Sequence, residues 1–267
     1  MSGPSGRIPG FRCAMSTTTD TLLVSFLPAV LCPRRAGAVL CGIGGVPERL
    51  CGCMVDGDSC PSADDFCRTG PRIAAIGDMA AETIQDGLDA LGRCAEIGRG
   101  APSPEGLRGA VAMDGLYMAL STFSAHAVDA AHLFAAALTR RLFLKEGLAH
   151  AVETALHEAV VNAIVHGNLG MGSADRETVD GFARYCAQIE SRLSDPGRAD
   201  KWIEIAAQWT ASEIVATVTD QGLGYRPGQG GAEEFEKSGR GLRIVRALTR
   251  DIRIDEGGRR IVMRFSR

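Results

Sequence analysis

The chain has 267 residues, 45% of them hydrophobic, and a formal net charge of -3. That length admits one or two domains with a sizeable core, and the near-neutral balance excludes a function dictated by bulk charge, so nothing calls for nucleic acid or a membrane surface. Eight of the nine cysteines precede residue 100. The spacings of Cys32, Cys41, Cys51, Cys53, Cys60 and Cys67 contain no C-x-x-C pair, which favours reduced thiols over an irregular metal cluster or a disulfide framework.

In chain order, residues 21–33 are uncharged and apolar and follow Arg7 and Arg12, in the manner of a signal peptide. Pro28 interrupts the run, Leu31 is wrong for a lipoprotein site before Cys32, and the stretch is too short to span a bilayer, so a cytoplasmic protein is expected. Met15 offers an alternative start. Ile84, Leu88 and Leu91 mark one amphipathic helix, and residues 98–109, rich in Gly and Pro, read as a linker. Residues 1–109 are therefore expected to form an extension of no nameable fold, separate from a domain at 110–267 and dispensable for its activity.

Residues 116–122 read as a strand, 128–141 as an Ala-rich helix and 148–166 as a second helix. In the second helix Val152, Leu156, Val160, Ala163 and Ile164 follow a core-facing rhythm. Glu158 and Asn162 share another face, with His166 near the same line one turn on. An amide oxygen suits Mg²⁺ and a carboxylate one turn away can orient or deprotonate a hydroxyl. Alone, the pair reads equally well as a solvated helix face. His157-Glu158 begins like a zinc-protease motif, but Val161 stands where the second His is needed and His166 points to the other side. His157 is expected on the surface.

Residues 169–200 form an insertion, with Ala183, Ile189 and Leu193 as the apolar edge of a helix ended by Asp195-Pro196-Gly197, peripheral and available to a partner. Residues 202–208 and 213–219 form a hairpin around Thr210-Ala211-Ser212, and the second strand runs into Asp220-Gln221-Gly222-Leu223-Gly224. Ser238-Gly239-Arg240-Gly241-Leu242 opens a helix over 241–249, where glycines allow close backbone approach and a helix N-terminus favours phosphate. Residues 251–255 and 259–265 close a second hairpin through Glu256-Gly257-Gly258. From residue 239 onward nine Arg stand against three acidic residues. This reads either as a solvated basic helix and hairpin or as a face for an anion or acidic partner, with Arg240 the member expected at the triphosphate. No P-loop occurs, and Pro227 and Ile244 spoil G-x-G-x-x-G at both glycine clusters.

The order of motifs, E-x-x-x-N on a helix, D-x-G-x-G after a strand, then G-x-G-L into a helix, resembles the ATP-binding domain shared by heat-shock chaperone ATPases, DNA gyrase B, histidine kinases and MutL. Within that superfamily the wording from Glu158 to Gly167 is most similar to the anti-sigma factor serine kinases, whereas histidine kinases usually carry Asn where Glu158 stands. The resemblance covers roughly residues 117–265. It implies an α/β two-layer sandwich, a mixed β-sheet with helices on one face, the Bergerat-type ATP-binding fold. It further implies Glu158 as catalytic base, Asn162 as Mg²⁺ ligand, and Asp220 as acceptor for the adenine amino group. Gly222 and Gly224 would shape the pocket, Gly239, Arg240, Gly241 and Leu242 would line the phosphates, and His166 joins the cofactor-binding set. The nucleotide would lie between the 148–166 helix and the lid helix. Expected cofactors are ATP and Mg²⁺; expected partners are an anti-anti-sigma-like substrate, a sigma factor and a second copy of the chain. Tyr225-Arg226-Pro227 departs from the family wording and puts the lid chemistry in question. Two other readings stay open: an ATP-gated regulator that sequesters a partner without phosphorylating it, and a histidine-kinase catalytic fragment, which Glu158 and the lack of an obvious dimerisation helix disfavour.

Overall fold

The computed structural model of the protein describes residues 24–26, 73–76, 79–96, 99, 106, 109–110, 113–172, 178–224 and 240–267. One sheet runs through all of them in the order β1-β2-β3-β4-β5-β6-β8-β7. Its strands are β1 (Val24–Phe26), β2 (Ile73–Ile76), β3 (Arg93–Glu96), β4 (Gly115–Ser121), β5 (Trp202–Trp209), β6 (Glu213–Asp220), β7 (Asp251–Asp255) and β8 (Arg260–Ser266). β2, β3 and β4 are parallel and every other pairing is antiparallel. The sheet is thus mixed, and the expected α/β sandwich is the architecture found.

Alternation along β4 explains how the sheet is buried. Leu116, Met118 and Leu120 enter the main core, while Tyr117 and Ala119 join Ala95, Ala110 and Trp202 in a smaller cluster on the opposite face. Helices α1 (Ala81–Leu91), α3 (Ala130–Leu142) and α4 (Glu146–Asn162) supply the main core, with Leu88, Phe134, Leu138, Val152 and Leu156 all fully enclosed. Asp129 caps α3 by accepting from His132 N at 3.1 Å. The short α2 (Thr122–Ala127) follows β4 directly, and Ser121 caps it by accepting from Ser124 N. After Asn162, α4 widens into a π-turn over Ala163–Asn168, closed by Leu169 N donating to Ile164 O at 2.9 Å. Helix α7 (Arg240–Leu248) packs along α4.

Three expectations need correction. First, the fold does not divide at residue 109. The unit β2-α1-β3 lies beside β4 in the same sheet, with Ile84, Leu88 and Cys94 in the main core, so a chain starting at Ala110 would strip one edge of β4. Second, the 169–200 insertion is not merely peripheral. Its helix α5 (Val179–Leu193) turns Tyr185, Ile189 and Leu193, at i, i+4 and i+8, onto the main core, whereas Ala183 is exposed. A single turn, α6 (Pro196–Ala199), follows, and Arg192 and Arg198 donate to Leu169 O at 2.5 and 2.6 Å. Third, α7 rests directly on α4, so there is no open slot along the length of these helices for a nucleotide.

Part of the 21–33 stretch is β1. No helix among the described residues is long and apolar enough to cross a membrane. Of the cysteines, Cys94 and Cys186 are described and both are free; the remaining seven lie outside the described residues. Burial pushes the Cys94 thiol up from its ordinary range, as befits a core residue.

Because α1 and the ATPase-like half share one core, Leu88→Ala should destabilise the whole sheet. We expect a loss of about 2–5 kcal/mol, the usual cost of emptying an enclosed leucine site. Urea unfolding followed by fluorescence of Trp202 and Trp209 would check this, and a midpoint unmoved by the substitution would show the N-terminal unit to be independent.

Candidate functional site

The site is assembled where α4 and its π-turn meet the ends of β6 and α7. Glu158 and Asn162, one turn apart on α4, are both half-buried, while His157 between their lines is exposed as expected. Above them lies the first turn of α7. A β-carbon on Gly241 would stand 2.5 Å from Glu158 Oε2 and 3.3 Å from Asn162 Nδ2, so only hydrogen leaves the carboxylate where it is. Three residues expected together from separate motifs are brought together. Arg240 opens α7 on the surface and Leu242 is half-buried beside Gly241. Gly239 and the Tyr225-Arg226-Pro227 departure lie outside the described residues.

Asp220 ends β6, with its own N–H donating to Arg259 O at 2.9 Å. Its carboxylate faces the π-turn: a β-carbon on Gly167 would lie 2.5 Å from Asp220 Cγ. Oδ1 accepts from Gly222 N at 2.7 Å. Gly222 in turn sits so close to the Gly167 backbone that a β-carbon there would overlap the Gly167 carbonyl group. Gly224, at φ +81, turns away toward Gly257 in the β7–β8 turn, so it shapes the exit of the loop and not the crevice beside Asp220. His166 falls inside the π-turn, where wider winding takes it off the Glu158–Asn162 line, and its Nδ1 is within 2.7 Å of Met171 O.

A residue without a motif holds this arrangement. Asn168 is 1% exposed, and its Nδ2 donates to Thr122 Oγ1 at 2.8 Å and to Trp202 O at 3.0 Å. Its Oδ1 accepts from Gln221 N at 2.8 Å, and Gln221 Oε1 accepts from Trp202 N at 2.9 Å. One buried amide thus ties the π-turn to α2, β5 and the residue after Asp220. The sequence signal available was only an Asn immediately after the helical run, and it did not reveal these partners.

The basic segment is partly neutralised. Arg264 pairs with Glu213, Arg253 with Asp255 and Arg260 with Glu256, and Arg267 donates to the carbonyls of Thr210 and Leu142. These pairs are exposed and contribute little to stability. Among the described residues no group of three His, Cys, Asp or Glu could hold a metal by itself.

Burial lifts the Asp220 carboxyl to about 6, against the opposing pull of the Gly222 N–H, Arg259 and Lys201. An acid whose folded pKa is raised binds more protons folded than unfolded. Its penalty is therefore absent below the unfolded value of 3.8, grows as pH rises toward 6 and stays constant above. Asp220→Asn keeps an acceptor for Gly222 N and removes the charge. The variant should match wild type near pH 3.5 and exceed it by about 1–3 kcal/mol above pH 6. Chemical unfolding across that range is the measurement, and a variant less stable than wild type at pH 7.5 would refute the desolvation account.

A family model described as histidine kinase-like ATPase domain matches residues 122–265, more than half of the chain. No curated protein matches it. The matched stretch runs from α2 through β8 and contains Glu158, Asn162, Asp220, Gly222 and Gly241 within one continuous set of elements. The chain belongs to the family of histidine kinase-like ATPase domains, which bind ATP with Mg²⁺.

Proposed function

We propose that the protein is a Mg·ATP-dependent serine/threonine kinase of the anti-sigma type that phosphorylates a small anti-anti-sigma-like partner. The observation that carries this reading is the stack of Gly241 on Glu158 and Asn162, which places a carboxylate, an amide and a helix N-terminus at one point. The donor types also suit the group implied. Hard oxygens from Asn162 and Glu158 favour Mg²⁺, and the hydrogen-only surfaces of Gly167, Gly222 and Gly241 admit a flat base and phosphates at close range.

In this reading Asp220 accepts a hydrogen bond from the adenine amino group through the oxygen that Gly222 does not use. Asn162 holds the metal, which when bound neutralises charge on the phosphates. Glu158 takes the proton from the partner's Ser or Thr hydroxyl as that oxygen attacks the γ-phosphorus and the bond to the β–γ bridging oxygen breaks, releasing ADP. The first turn of α7, with Arg240 and the N–H of Gly241, faces the transferring phosphate. Positioning and charge neutralisation do most of what such a transfer needs. The basic face of α7 supports an acidic partner, and the sigma factor and a second copy of the chain remain proposed partners.

ATP affinity should fall in Asp220→Asn by about 1.5–3 kcal/mol, the range for a hydrogen bond to a charged group. Wild-type affinity should also fall as pH drops through about 6, where Asp220 takes up its proton. Calorimetry on both proteins tests the assignment, and unchanged ATP affinity in a folded Asp220→Asn would remove it.

At α4, Glu158→Gln should retain ATP and lose at least about 100-fold in transfer to the partner, while Asn162→Ala should impair both Mg²⁺ use and turnover. Gly241→Ala, whose methyl would displace the Glu158 carboxylate, should act as a weaker version of the first. Radiolabelled transfer to the partner encoded nearby is the assay. Full transfer by Glu158→Gln would make Glu158 structural, and a partner bound but never labelled by wild type would favour an ATP-gated binding module.

A further inference from the structure

We propose that Glu96, which lies before the segment matched by the family, is a positioning residue for the adenine end of the nucleotide site, and that through it the β2-α1-β3 unit and the pocket are coupled. The proposal rests on the assignment of Asp220 and Gly222 to that pocket. Glu96 is the last residue of β3 and is 3% exposed. Its Oε2 accepts from Ser121 N at 2.6 Å and its Oε1 from Ser124 Oγ at 2.8 Å. Ser121 Oγ donates to Ser124 Oγ at 3.1 Å and accepts from Ser124 N at 3.2 Å. The four bonds close a ring that fastens the start of α2 to β3.

The next residue carries the fastening onward. Thr122 N and Oγ1 both donate to Lys201 O, at 2.7 and 2.8 Å, and Thr122 Oγ1 accepts from Asn168 Nδ2. Asn168 Oδ1 then accepts from the N–H of Gln221, the residue between Asp220 and Gly222. From Glu96 to Gln221 the route consists of hydrogen bonds and single peptide links, with its central members buried. A second grip lies beside it on the surface. The Arg99 guanidinium stands 4.1 Å above the Phe123 ring and 3.2 Å from Asp200 Oδ1, so it holds α2 to the turn that leads into Lys201.

The physical consequence follows from what is left when Glu96 is removed. Ser121 N–H and the Ser124 hydroxyl would be buried donors without acceptors, and α2 can relieve that only by moving. Such movement displaces Thr122 and, with it, one of the two acceptors that orient the Asn168 amide. By reciprocity, any event that shifts β3 must change nucleotide affinity, and nucleotide binding must be felt at β3.

The test uses the full chain. Glu96→Leu should accelerate hydrogen exchange at the amides of Gln221 and Gly222 in the absence of nucleotide and weaken ATP binding at least about fivefold. Glu96→Gln should restore most of both, since its oxygen can accept from Ser121 N while its amide donates to Ser124 Oγ. Leu88→Ala, in the same unit but without a bond to α2, is the control for lost stability. Should Glu96→Leu not fold, Ser124→Ala removes one bond of the ring and should show the same signs at smaller size. Unchanged exchange at Gln221 and Gly222, or an equal rise in a Leu88→Ala protein of matched stability, would overturn the proposal. If wild type binds no ATP while the exchange pattern appears, the coupling stands and the nucleotide assignment of the pocket fails.

Discussion

The candidate site depends on one close approach, that of the Gly167 backbone to Gly222, where nothing larger than hydrogen fits between helix end and strand end. Packing alone would not fix two glycine backbones in register, because neither brings a side chain to interlock. Asn168 supplies what they lack. Its amide reaches the strand on one side and α2 on the other, and in a buried setting each bond is worth keeping because the alternative is an orphaned polar group. The crevice is therefore defined by backbone held through one side chain, which suits a ligand that must lie flat against peptide groups.

The same approach explains why Asp220 is costly to keep. Closing Gly167 over it withdraws water from the carboxylate, and the Gly222 N–H, Arg259 and Lys201 return only part of the lost solvation. A residue that weakens the fold while being tightly positioned departs from the agreement between local and global preference that core positions show. The offset comes from elsewhere, chiefly from the layer of α1, α3 and α4 on the sheet, where Leu88, Phe134 and Leu156 are enclosed.

Legibility in the sequence tracked the range of the interactions involved. α3, α4, α7 and the strands β5 to β8 were readable because their burial repeats with the local period, and the expected hairpins 202–208 with 213–219 and 251–255 with 259–265 differ from the observed strands by a residue or two. β2 and β3 are four-residue strands, and their sequences Ile-Ala-Ala-Ile and Arg-Cys-Ala-Glu show no alternation a reader could trust. Their assignment depends on a neighbour, β4, about twenty residues further on. In the insertion, Tyr185 was passed over for Ala183 although its spacing to Ile189 and Leu193 was correct, since a tyrosine reads as polar until its ring is seen packed. At the site, Glu158, Asn162, Asp220 and Gly241 belong to short motifs and could be found. Asn168 and Glu96 acquire meaning only from partners 20 to 50 residues away.

The π-turn sets a constraint of a different kind from any of these. In the i to i+5 winding of residues 163–168 there is one more residue per turn than in an α-helix, and that residue places Asn168 against Thr122, Trp202 and Gln221. Deleting a single residue there would let the helix return to regular winding and rotate everything after it by about 100°. The Asn168 amide would then face away from all three partners. Exchanges of one aliphatic residue for another at Ile164 or Val165 alter volume only, whereas the loss of one codon alters phase. For this segment chain length is held more strictly than composition, and an in-frame deletion as small as one residue would disconnect helix from strand while leaving every recognisable motif intact.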